Sequence, residues 1–338
     1  MTDPLDLVIC ATCGTQYSTL TPPPTCTICD DPRQYVPPTG QTWTTLRTLQ
    51  TSTPTPNTPN NNSTTTSSST PPKPKYTNIL TPLPHAPEIL TIHTTPKLAI
   101  GQRAFLLCTP HGNILWDCLT YLDDRTIAHI HSLGGISAII ISHPHYYTTH
   151  LVWAEAFQCP VYLSVEDREW VMRVDTDDKG EGSARQVFWE GKEMEVIKGS
   201  GVWGIKTGGH FPGSSVVWWP GEGMKGALLL ADTIGTVPSG MGDYGEGGGK
   251  GWDVDSEMGM GRITYTFMWS FPNMIPLPPD DVHNIWKALK HTEFDQAYGA
   301  FMGMDTAGKC KQRLLDSAKI FVKAMGYLDH AIHAEECP

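Results

Sequence analysis

The stretch CATCGTQYSTLTPPPTCTIC, residues 10–29, places Cys10, Cys13, Cys26 and Cys29 in two C-x2-C pairs separated by twelve residues. No other feature limits the fold so tightly. A C-x2-C turn presents two sulfurs at metal-ligand separation, and two such turns close a tetrahedral cage. A segment of about forty residues buries too little apolar surface to fold unaided. Bound metal must then supply the folding energy. Gly14 follows the first pair, where a knuckle calls for positive φ. Structural zinc is expected, although four cysteines also accommodate iron.

Residues 8–36 resemble a rubredoxin-type zinc ribbon. The second knuckle departs from that pattern, with Asp30 where a glycine is usual. Residues 1–40 are thus expected to form a ribbon that docks on the rest of the chain or on another protein. Next comes TSTPTPNTPNNNSTTTSSSTPPKPK, residues 51–75, without one aliphatic or aromatic side chain. Such a segment cannot offset its ordering entropy, so residues 41–75 read as a linker or disordered loop. TWTTLRTLQ, at its start, suits a short helix or strand anchored by Trp43 and Leu46.

Several functions are disfavoured by composition. The formal net charge of −11 is unsuited to nucleic acid, since phosphate binding needs a basic surface. No run of eighteen apolar residues predicts a membrane span. MTDPLDLVIC lacks the apolar core of a secretory signal. A cytoplasmic, reducing setting is expected, where the nine cysteines stay unpaired. Cys108, Cys118, Cys159, Cys310 and Cys337 stand singly and read as buried or free thiols.

The pattern changes again within 76–338. KLAIGQRAFLLCT and NILWDC read as strands joined by a turn at Pro110–Gly112. LDDRTIAHIHSLG has Leu122, Ile127, Ile130 and Leu133 at helical spacing, closed by Gly134 and Gly135. ISAIIIS is a buried strand, THLVWAEAF a helix and CPVYLS a strand. Short strand-like pieces follow, then helices near 280–290 and 309–325. This order predicts an α/β protein, two sheets covered by helices in a four-layer αββα sandwich.

Candidate metal ligands lie at the strand ends. His143 and His145 follow AIIIS, His210 ends VWGIKTGGH, and Asp232 ends GALLLAD. In an extended segment residues two apart point the same way, so His143 and His145 could meet one ion. Sites are usually built where strands give way to loops.

Taken together, WDC (with Asp117), SHPHYYTTH, GGHFPGSSVVWW and LLLADT resemble the metallo-β-lactamase superfamily over roughly residues 76–305. The resemblance implies the αββα sandwich, a metal site between the sheet edges and metal-activated water as nucleophile. It carries His143, His145, His210 and Asp232 over as ligands. The family motif H-x-H-x-D-H is incomplete: Tyr147 and Thr148 stand where Asp and His would bind a second metal. The family's last histidine has no counterpart in FDQAYGAFMG, and nearby His291 precedes that strand.

Three histidines and an open position form the arrangement of catalytic zinc. Asp232 would complete the shell or orient water, and Tyr147 is a candidate hydrogen-bond donor to a developing oxyanion. His150 could swing back to replace the lost ligand at position 148, but is expected to face solvent or pack locally. The leading expectation is a mononuclear zinc hydrolase acting on an ester, thioester, lactone or amide carbonyl of a small molecule. A second is a mononuclear non-haem iron oxidoreductase, similar to persulfide dioxygenases, using His143, His210 and Asp232. A third is a non-catalytic scaffold. Homodimers are common in the superfamily. Trp269, Phe271 and Met274 could line a pocket or pack in the core, and GMGDYGEGGGKG, 240–251, could act as a lid.

Overall fold

The computed structural model describes residues 2–51, 75–175, 185–221, 226–237 and 264–338. Seven strands form the first sheet, in spatial order Thr77–Leu83, Ala86–Thr95, Arg103–Leu107, Ile114–Trp116, Ala138–Ile140, Val161–Ser164 and Gln186–Trp189. The first four pair antiparallel and the last three join in parallel. Parallel neighbours need a crossover, and helices Asp124–Ser132 and His150–Phe157 supply two of them. The first of these starts where the Asp123 carboxylate accepts the Thr126 N–H at 2.8 Å. It ends at Gly134 and Gly135, both at positive φ, as the sequence predicts.

Six strands form the second sheet: Glu193–Glu195, Trp203–Lys206, Ser215–Trp219, Ala227–Leu229, Gln296–Tyr298 and Asp305–Ala307. Only Ala227–Leu229 and Gln296–Tyr298 pair in parallel. Strand alternation fixes the layers. Val217, Trp219 and Leu229 point into the core shared with the first sheet. Val216 and Leu228 point the other way, onto Ile285 and Trp286 of helix Pro279–Leu289 and Leu314 of helix Cys310–Ala324. Burying each such side chain contributes roughly 2 kcal/mol. Two mixed sheets with helices on their outer faces give the expected four-layer sandwich.

One hairpin, Thr77–Leu83 with Ala86–Thr95, extends the first sheet ahead of the point where strand patterning becomes plain. Its outer strand mixes buried and exposed positions and carries Pro82, so its alternation is weak.

The four cysteines sit in a small unit whose strands Val8–Cys10 and Trp43–Thr45 pair antiparallel. Residues 43–51 are therefore folded, as the strand and short helix that TWTTLRTLQ suggests. Helix Leu46–Thr51 buries Leu46 and Leu49 beside Tyr76 and Tyr121 of the larger unit. The rest of the low-complexity stretch, 52–74, lies outside the described residues, as does the lid assigned to 240–251. Among the described residues no helix is long and apolar enough to cross a membrane.

Candidate metal centres

Among the described residues, two clusters bring four ligand atoms within 4.8 Å of one another. The first is Cys10, Cys13, Cys26 and Cys29, all buried and none disulfide-bonded. Cys10 Sγ lies 3.6 Å from Cys29 Sγ, and Cys13 Sγ lies 3.7 Å from Cys26 Sγ. Sulfurs at zinc–thiolate bond length on a tetrahedron stand about 3.8 Å apart, so the cage fits a metal ion. Gln41 Nε2 donates to Cys10 Sγ at 3.1 Å and the Tyr17 hydroxyl to Cys26 Sγ at 3.3 Å. Both suit sulfur in its thiolate form.

His143, His145, His210 and Asp232 form the second cluster. Each is delivered by a local device. Strand Ala138–Ile140 ends just before Ser142, whose N–H donates to Asp117 Oδ1 at 2.8 Å. Asp117 is fully buried, and desolvation pushes its carboxyl up to about 7 against the Ser142 backbone hydrogen bond. The chain then makes a tight 3-10 turn, Pro144–Tyr146. His143 and His145 converge through this turn, with ring centroids 5.0 Å apart, and not along an extended segment as the spacing suggests. Gly208 and Gly209 take φ of +64° and +91° ahead of His210. A Cβ on Gly209 would stand 2.8 Å from Leu277 Cδ1, so no side chain fits there.

His210 Nε2 lies 3.3 Å from His145 Nδ1. Asp232 Oδ2 lies 3.3 Å from His143 Nε2, 3.5 Å from His145 Nδ1 and 3.8 Å from His210 Nε2. Nitrogen and oxygen ligands around tetrahedral zinc stand about 3.3 Å apart. His143 Nε2 is buried and makes no hydrogen bond, an orphan that a metal ion would satisfy. Two of the three outer nitrogens are held: Ser142 Oγ is 2.9 Å from His143 Nδ1, and His210 Nδ1 donates to the Met268 carbonyl at 3.2 Å. Such contacts set tautomer and ring orientation.

Electrostatics favour the binding forms. Burial holds His145 below its usual pKa and His210 well below it, so both are neutral imidazoles with a free lone pair. Burial would raise the Asp232 carboxyl, but the electrostatic pull of the three histidines around it, His143 first, holds it well below the usual range. Asp232 is therefore an anion.

Of the two tyrosines, Tyr146 reaches the cluster: its hydroxyl donates to Asp232 Oδ1 at 2.5 Å. The Tyr147 hydroxyl, the donor expected from the sequence, points instead to the Asp167 carbonyl at 3.4 Å. The Thr148 carbonyl accepts the Gln16 N–H from the ribbon at 3.1 Å. The two positions that replace second-metal ligands thus serve packing and docking. His291 is half exposed and pairs with Glu193 at 3.1 Å, away from the cluster.

Buried His150 is no ligand either. Its Nδ1–H donates to the Tyr147 carbonyl at 2.8 Å, and its Nε2 accepts from Gln186 Nε2 at 2.6 Å. A proton on Nε2 would face the Gln186 amide hydrogens. Burial accordingly pushes His150 down to about 4. Between that value and the unfolded value near 6.5, the unfolded chain binds the extra proton. Stability therefore falls as pH drops from about 6.5 to about 4. Denaturant unfolding across this window is expected to show the loss, and His150→Gln is expected to flatten it by about 3 kcal/mol at most. An unchanged slope in the variant would assign the loss to other groups.

Three partners carry no signal in sequence spacing. Arg33 of the ribbon donates from Nη1 to the His210 carbonyl at 3.2 Å, across 177 positions. Its guanidinium is paired with Asp31 at 2.7 and 3.0 Å and lies 3.7 Å from the Phe211 ring centroid. Phe211 in turn packs on the rings of His143, His145 and His210.

Sandwich, strand-end ligands and incomplete motif define a single class of protein. A sequence profile of the Metallo-beta-lactamase superfamily matches residues 100–288, and the chain belongs to that superfamily. The Bacillus subtilis (strain 168) protein "Uncharacterized protein YmaE" is 37% identical over 321 residues, covering 94% of this chain and 96% of YmaE. Among solved structures, the DIM-1 metallo-beta-lactamase shares 14% identity over 73% of this chain and 98% of its own, with a TM-score of 0.46. A quorum-quenching N-acyl homoserine lactone hydrolase shares 21% identity over 43% of this chain and 63% of its own, at a TM-score of 0.30.

Proposed function

We propose that the protein is a metal-dependent hydrolase with one zinc ion in its catalytic site, acting on an ester, thioester, lactone or amide carbonyl of a small molecule. The observation that carries this reading is the convergence of two neutral histidines, His143 and one carboxylate on a single point, beside second-metal positions that face elsewhere. An ion held by His143, His145, His210 and Asp232 supplies Lewis acidity and lowers the pKa of water to about 7. Tyr146 fixes Asp232 Oδ1, which leaves Oδ2 turned to the histidines. Turned this way, Asp232 would complete the ion's shell or orient the attacking water. The four cysteines take a second, structural zinc. None of the nine cysteines forms a disulfide, which suits a reducing cytoplasm.

The iron oxidoreductase uses three of the same ligands. His145 Nδ1, at 3.3 Å from His210 Nε2 and 3.5 Å from Asp232 Oδ2, favours the four-ligand set over that triad. Metal analysis of protein purified without added metal separates the readings. About two zinc ions per chain are expected, one for each four-ligand site. Stoichiometric iron in a coloured protein would sink the hydrolase.

A further inference from the structure

We infer that the zinc ribbon forms one wall of the substrate pocket and selects substrates that carry an anionic group and, beside the carbonyl, an apolar acyl or aryl group. This rests on the hydrolase reading. A cavity of about 630 Å³ opens beside Asp232, a size that suits a small-molecule ligand. Arg33, Gln34 and Tyr35 of the ribbon line one side. Ile234, Phe271, Phe301 and Met304 of the sandwich line the other.

Charge around this cavity is almost cancelled. Arg33 is spoken for by Asp31, the His210 carbonyl and the Phe211 face, so it shapes the wall and offers little free charge. Asp232 belongs to the metal cluster. Lys97 also lines the cavity, is exposed, and has no ion-pair partner among the described residues. An apolar group therefore gains by burial between ribbon and sandwich, and an anionic group on the same molecule can pair with Lys97 on the cavity wall.

The wall stands where it does because the ribbon is fastened at several points. The Asn273 side chain donates to the Pro32 carbonyl at 2.8 Å, and the Ser270 hydroxyl donates to the same oxygen. The Ser18 N–H donates to the Met172 carbonyl at 3.2 Å. Four cysteines and their ion fold the segment that carries Arg33 and Tyr35. The ribbon metal thus governs which substrate binds without touching the reacting atoms.

The test uses the full chain with nitrophenyl octanoate and nitrophenyl acetate, and with anilinonaphthalene sulfonate, an aromatic anion whose fluorescence rises on apolar burial. In Tyr35→Ala the octanoate-to-acetate ratio of kcat/KM is expected to fall about tenfold. Kd for the probe is expected to rise about fivefold. Tyr35 is 50% exposed, so this variant folds. Cys13→Ser is expected to lose the ribbon's metal, keep the sandwich's metal, and show the same two changes. If both variants keep the wild-type ratio and probe Kd, the wall is overturned while hydrolysis stands. If the wild type cleaves neither ester, the hydrolase reading falls and probe binding alone decides: weakened binding in both variants supports the wall, unchanged binding overturns it.

Discussion

His145→Ala is expected to remove the metal proposed for the sandwich and to lower the proposed hydrolysis by a thousandfold or more. The loss of one ligand leaves His143, His210 and Asp232 to hold the ion. It also takes away the nitrogen that stands 3.3 Å from His210 Nε2 and 3.5 Å from Asp232 Oδ2. A thousandfold corresponds to about 4 kcal/mol of lost transition-state stabilisation. Total bound metal is expected to fall from about two ions per chain to about one, because the four cysteines keep theirs. Unchanged metal content together with unchanged hydrolysis would remove His145, and with it the four-ligand set, from the site.

Gly14→Val is the most damaging change expected in the ribbon. Gly14 has φ of +84°, and a Cβ there would stand 1.8 Å from Thr120 Oγ1 and 3.3 Å from Ala99 Cβ. A β-branched residue pays backbone strain at that φ and must also push the sandwich away. The expected cost is on the order of 3 kcal/mol. Gly40→Val separates the two causes. Gly40 has φ of +92° and nothing within 4 Å of its Cβ position, so it incurs strain alone, about 1 kcal/mol. Denaturant unfolding reads both variants. Limited proteolysis is expected to release the ribbon from Gly14→Val and not from Gly40→Val. Equal behaviour of the two would show that Gly14 matters only for the knuckle's backbone.

Both metal clusters are legible in the sequence for a local reason. Each cysteine pair is one turn, and His143, His210 and Asp232 each follow a short apolar strand whose end fixes where they stand. What surrounds them is less legible, because it depends on distant packing. Tyr146 and Tyr147 are adjacent and chemically identical. Only the 3-10 turn decides which reaches Asp232, and the spacing suggests an extended chain there. Arg33 looks like a solvated surface charge until the ribbon docks and sets it against Phe211. The cavity places Phe271 on its wall, while Met274, named with it from composition, is 82% exposed. Trp269 lines a different cleft, near Gly208 and Gly209.

The bond from Arg33 to the His210 carbonyl has a thermodynamic corollary. It joins a segment that owes its folding to one ion to the loop that carries a ligand for another. Any free energy by which loading the cysteines firms that loop must reappear, with equal size and sign, as tighter cysteine-site binding once the histidines are loaded. Ions in both clusters would be coupled occupants of one molecule, and the total free energy of filling the two sites would be the same whichever filled first.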